Sequence, residues 1–261
     1  MPLSVVEAAV RPRVRCAALA ACLLVASPLV AAEREEARAL ARDDGRLLYR
    51  EVHYQDHDGD AARRVVLYRC PDGAAFARKV VRTQGVAAQP DFAFIDARSG
   101  YREGVRTQGG AREIFVQRGD AAPRTAALPA TEGAVIDAGF DAAVRARWSA
   151  LGESPQRLSF LLPERLTFMP VRVEKVDDAG GVRRLRMSVD RWFGFAVAPI
   201  ELQYGLEDRR LREFAGPGTV RDARGKPREV RIVFPVQPPS RVAATEVAAA
   251  LAEPLTGRCA T

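Results

Sequence analysis

The chain is poor in the residues that announce chemistry. Its 261 residues include two histidines, four cysteines, three methionines and two tryptophans. The histidines, His53 and His57, have no serine or cysteine beside them in an arrangement that suggests a nucleophile and its base. There is no Gly-x-Ser-x-Gly elbow, and Ser99-Gly100 reads as a plain turn. Cys70 is not half of a Cys-x-x-Cys pair. The glycines from Gly218 to Gly225 have neither the spacing of a phosphate loop nor a Ser or Thr after Lys226. No run of five like charges occurs, and arginines alternate with acids, as in Glu207-Asp208-Arg209-Arg210. A formal net charge of +7 therefore lacks the basic stripe with stacking aromatics that nucleic acid binding needs. Non-enzymatic work without a cofactor is the expectation.

Acidic and histidine side chains do gather once, in Asp56-His57-Asp58-Gly59-Asp60. As a calcium loop the segment fails, because its sixth position is Ala61 rather than Gly and its twelfth is Leu67 rather than Glu. Zinc would need further ligands at defined spacing. Asp and Gly are what a tight hairpin uses, so a solvated tip is expected, with no metal.

What the chain does have is an export signature. Arg11, Arg13 and Arg15 precede an apolar run from Cys16 to Val30, then Val30-Ala31-Ala32 and the polar Glu33-Arg34-Glu35-Glu36. This is the order of a secretory signal peptide over residues 1–32, with cleavage after Ala32. The run of about 15 residues is short of the roughly 20 that span a bilayer, so no membrane-spanning segment is expected after cleavage. Leu19-Ala20-Ala21-Cys22 fits a lipobox, but the greasiest stretch follows Cys22, which disfavours anchoring there. A periplasmic protein is expected. Glu7 is out of place in a basic leader and suggests a start near Val10.

Beyond residue 32 only Cys70 and Cys259 remain, and an isolated pair in an oxidising compartment is a disulfide candidate. Two unpaired thiols are the alternative. The pair would staple the C-terminal tail, about 236–261, to an early strand.

Residues 33–261 read as a single β-rich domain of the α+β class. Glu33 to Arg46 is helical in composition, with Gly45 as a stop. From Leu47 onward, short strands alternate with turns such as Asp-Gly and Pro71-Asp72-Gly73, the spacing of an antiparallel meander. Residues 118–134 read as a crossing loop. Asp137 can cap one central helix over about 138–151, where Phe140, Val144, Trp148 and Leu151 form an apolar stripe. Strands resume from Leu158, and Ala243 to Ala252 reads as a short helix. The expected architecture is a large curved antiparallel sheet of about ten strands packed around that central helix, with short helices at both ends.

Three stretches carry a resemblance: Gly139-Phe140-Asp141 through Leu151, Arg157 through Pro163, and Tyr204 through Phe214 ending at Asp222-Ala223-Arg224-Gly225. They resemble uncharacterised secreted proteins of proteobacteria over about residues 46–235. More loosely, a curved sheet around helices is similar to periplasmic lipoprotein carriers and their outer-membrane receptors. That resemblance implies an apolar cavity for acyl chains, and hence a lipid or a lipidated protein as partner. The concave-face lining would then be Phe140, Val144 and Trp148, with Trp192 and Phe195 from the Trp192-Phe193-Gly194-Phe195 cluster. The high charge and the lack of a Met- and Leu-lined interior depart from a carrier. A filled core serving a structural or interaction role is the alternative, and a hydrolase with unrecognised carboxylates is a third.

Overall fold

The computed structural model describes Met1, residues 31–191 and residues 198–259. Most of the expected leader, together with Trp192 and Phe195, lies outside the described residues. Strands β1 (Ala31–Ala41), β2 (Leu47–Asp58), β3 (Ala61–Arg69), β4 (Ala75–Thr83), β5 (Asp91–Asp96), β6 (Tyr101–Gln108), β7 (Ala111–Gln117) and β8 (Arg124–Ala127) form one antiparallel meander. β9 (Ala134–Val135) leads to helices α1 (Gly139–Ala146) and α2 (Trp148–Glu153). A second meander follows: β10 (Gln156–Leu162), β11 (Thr167–Ala179), β12 (Val182–Val189), β13 (Ile200–Gly205), β14 (Leu211–Arg221) and β15 (Pro227–Val233). β16 (Ser240–Ala243) and α3 (Ala244–Ala252) end the chain.

β1 joins the two meanders, pairing with β2 on one side and β15 on the other, so all sixteen strands belong to one sheet. Among the described residues only the short β9–β10 pairing is parallel. One face of the sheet turns inward along its length. Its rows can be followed across the registers, as in Leu185–Leu202–Phe214–Ile232–Ala39–Tyr49. Strand period two places these side chains on one side. The sheet curls back on itself, because β14 and the 3-10 turn at Pro163–Arg165 touch side chains of β6 across the interior.

Four expectations are corrected. First, Glu33 to Arg46 is not a helix; β1 occupies most of it. Its composition favours helix, but Ala37, Ala39 and Ala41 are buried at period two at the centre of the sheet. Tertiary pairing on both sides overrides a weak propensity. Second, the sheet has sixteen strands rather than about ten. β8 and β9 emerge from the segment expected to be a loop, and β1 and β16 add the rest. Third, the central helix is two short helices that break at Arg147 (φ −103°, ψ 17°). Fourth, Asp137 does not cap α1. Ala138 holds the N-cap position with no side-chain bond, and Asp137 sits at φ 43° with its carboxylate turned to Lys79. The terminal helix is close to expectation, as α3.

The expected disulfide is present: Cys70 and Cys259 are bonded, with Cα atoms 5.5 Å apart. It anchors a tail that crosses the sheet's outer face, where α3 covers Val52, Tyr54, Val65, Leu67 and Ala75.

Candidate functional site

The inner face is filled in two different ways. At the β10–β13 end the filling is apolar. Val144, Trp148 and Leu151 from α1 and α2 pack against Leu158, Val171, Val173, Leu185, Leu202 and Tyr204, and Phe140 packs onto the same cluster. Trp148 is 8% exposed, edge-on to Tyr204 at 6.2 Å. The Arg183 guanidinium lies 4.3 Å from the Trp148 ring, donates to the Trp148 carbonyl at 2.7 Å and pairs with Asp178. Phe140 meets Phe160 edge-on at 6.2 Å. Gly139 holds the start of α1 against the preceding loop: a Cβ there would lie 2.2 Å from the Ala88 carbonyl oxygen. Of the five expected lining residues, the structure thus brings Phe140, Val144 and Trp148 together as packed core.

At the β4–β6 end an apolar cluster that includes Phe76, Phe92, Phe94, Val105, Ile114 and Val116 surrounds a buried charged network. One inner row reads Glu35, His53, Val66, Lys79, Phe94, Glu103 and Val116. Lys79 is 7% exposed, and its ammonium donates to Asp137 at 2.7 Å and to the Thr219 hydroxyl at 3.1 Å. It so ties β4 to the β9–α1 connection and to β14. The Tyr101 hydroxyl donates to Glu103 at 2.5 Å and accepts from Arg221 at 2.9 Å. Arg221 also lies 3.2 Å from Glu164, in the 3-10 turn after β10, and its guanidinium stacks 4.1 Å from the Tyr101 ring. On the next row Asp96 is held by Arg98, which stacks on Phe76. His53 and Glu51 share a bond of 3.1 Å.

Burial pushes the Glu103 carboxyl above its ordinary range, against the opposing pull of the Tyr101 hydroxyl and Arg221. Burial likewise raises Asp141, opposed by Arg145 in the next turn of α1. Desolvation raises Tyr49, Tyr68 and Tyr101, keeping their hydroxyls neutral. Each buried cation meets a carboxylate at short range, so the chemistry of the network is cross-linking: it holds opposite parts of the rolled sheet at fixed spacing.

Two surface hollows lie among the described residues. One, of about 150 Å³, is bordered by Leu162, Phe168, Met169 and Arg191. The other, of about 430 Å³, lies between the Gly180–Gly181 turn, Leu206, Arg212 and Phe234. No group of three or more metal-ligating side chains gathers among the described residues. In the Asp56–Asp60 segment Asp56 is engaged bidentately by Arg63, and Asp58 by Arg63 and Arg82. No helix among the described residues is long and apolar enough to cross a membrane.

Sequence reasoning missed the charged network. One signal was available: Lys79 is one of only three lysines, and it falls on the same strand face as Ala77 and Val81. Asp137 misled, because a carboxylate before a helical stripe reads as a cap.

No family model matches this chain. No curated protein matches it. Among solved structures it is similar to a beta-barrel-like protein of domain of unknown function DUF1849 from Brucella abortus. Identity is 10%, the TM-score is 0.47, and the match covers 81% of this chain and 98% of that one.

Proposed function

We propose that this is an exported, non-enzymatic protein of the cell envelope, with a filled interior, that acts as a structural or interaction component through its surface. The observation that carries this reading is the packing of Phe140, Val144 and Trp148: the side chains expected to line an acyl cavity are already in contact with strand residues and with Arg183. Ligand cavities of this kind run to about 300–1,000 Å³ and are concave and largely apolar. The 430 Å³ hollow is an open surface depression of mixed lining, with Glu207, Asp208, Arg212 and Glu213 beside Val182, Leu206, Val233, Phe234 and Val236. Export is supported by the leader pattern of residues 11–32 and by the Cys70–Cys259 bond, which suits an oxidising compartment.

The test is a titration of the purified protein with a fluorescent acyl probe, paired with crosslinking in intact cells. The reading expects no saturable probe binding and a defined crosslinked neighbour. Stoichiometric acyl binding would return the protein to the lipid-carrier reading.

A further inference from the structure

The C-terminal segment is held by strand pairing, apolar docking and a disulfide. β16 pairs with Ala31–Arg34 of β1, of which Glu33 and Arg34 follow the expected cleavage point. α3 then lays Val247 and Ala250 on the outer face of β2 and β3, covering Val52, Tyr54, Val65 and Leu67. The chain continues as an extended strap. Arg69 engages Glu253 with two bonds of 2.6 Å, and Arg78 donates to the carbonyls of Leu251 and Glu253. The Gly257 amide donates to Ala75 at 2.7 Å, and a Cβ on Gly257 would lie 2.8 Å from the Ala74 carbonyl oxygen. Arg98 donates to the Cys259 carbonyl, and the Cys70–Cys259 bond closes the strap.

α3 has nine residues and no side-chain N-cap, and a helix of that length is marginal by itself. Only Val247 and Ala250 of α3 are fully buried. Its docking therefore depends on tethers at both ends, β16 before it and the disulfide-closed strap after it, which raise its effective concentration at the sheet face. We propose that the strap is a thiol-controlled clamp: with Cys70 and Cys259 bonded, α3 covers the apolar outer face of β2 and β3, and reduction releases α3 and uncovers that face.

The reductant is an external dithiol. Cys259 is the less buried of the two, so the attack of the thiolate is assigned to its sulfur. The S–S bond breaks, the Cys70 sulfur leaves as thiolate and takes a proton, and a mixed disulfide remains on Cys259. The second thiol of the reductant then displaces Cys259, which also takes a proton. Two electrons have passed from the dithiol, now a disulfide, to the protein pair.

Hydrogen exchange of the full chain, oxidised and after treatment with dithiothreitol, tests the clamp. The expected result is exchange about tenfold faster or more across residues 244–259, unchanged protection in β10–β13, and new binding of a hydrophobic dye. Cys259→Ser should reproduce the reduced pattern without reductant. Glu253→Gln, with the disulfide intact, should loosen residues 253–257 alone. Equal protection of α3 in both redox states overturns the proposal. So does loss of protection in all strands together, which would make the bond a staple of the whole sheet rather than of the strap.

Discussion

The two ends of one inner face are both packed with apolar side chains but differ in what crosses them. At the β10–β13 end, helices α1 and α2 fill the space with Val144, Trp148 and Leu151. At the β4–β6 end the apolar cluster is crossed by buried charge. Lys79 on β4 reaches Asp137 and Thr219, and Arg221 on β14 reaches Tyr101 on β6 and Glu164 in the 3-10 turn. Apolar filling is stabilised by area removed from water and tolerates sliding. Charged filling gains little net energy but requires each group to find its partner. The difference suggests that apolar packing supplies stability at both ends and that the buried charges fix how far the sheet rolls.

Several substitutions would break or sharpen this contrast. The largest effect is expected at the helical end. Trp148→Ala removes a packed aromatic and should cost about 3–5 kcal/mol, read as a lowered urea midpoint. Gly139→Ala should come next. Its Cβ meets the Ala88 backbone, so overpacking of about 1–3 kcal/mol or more is expected.

At the charged end the signature is non-additivity rather than size. Lys79→Met leaves the Asp137 carboxylate facing the interior without its cation. The full cost of about 3–5 kcal/mol for a buried pair is reduced by the partial exposure of Asp137. The double variant Lys79→Met/Asp137→Asn should recover much of the loss, and a strictly additive double-mutant cycle would contradict the pairing.

The smallest effect is a pH dependence confined to the charged end and α1. Glu103 and Asp141 have folded pKa values raised by burial. Their penalty is fully present above the raised folded value and vanishes as pH falls to the ordinary unfolded value, so their share of stability rises on mild acidification. Asp178, Asp208 and Asp222 are depressed and act in the opposite direction, but they are exposed and screened. Glu103→Gln should flatten the mildly acidic side of the stability profile, measured as urea midpoint against pH; a profile identical to that of the native protein would argue against a buried, strained Glu103.

The meander β2–β7 was legible because Asp-Gly and Pro-Asp-Gly turns separate strands rich in β-branched and aromatic residues. The disulfide was legible from scarcity, since Cys70 and Cys259 are the only cysteines after residue 32. β1 was not legible. Ala, Glu, Arg and Leu are good helix formers, and only the flanking β2 and β15 make Ala37-x-Ala39-x-Ala41 an inward row. Trp148 and its stripe were correctly placed on a helix. That stripe alone does not distinguish a cavity wall from a plug; contact with Tyr204 and Arg183 makes it a plug. Lys79 carried one signal, its place on the face of Ala77 and Val81, but a charged residue in an alternating strand is assigned to the solvent side, and Glu103 carried none. Their partners, Asp137 and Arg221, lie 58 and 118 residues further along the chain.

The filled interior is the claim on which the rest depends. A native mass spectrum of the protein, purified from the periplasmic fraction under gentle conditions, tests it most directly. The account predicts the mass of the polypeptide alone, with one disulfide. A stoichiometric adduct of acyl-chain mass, lost on denaturation, would contradict it.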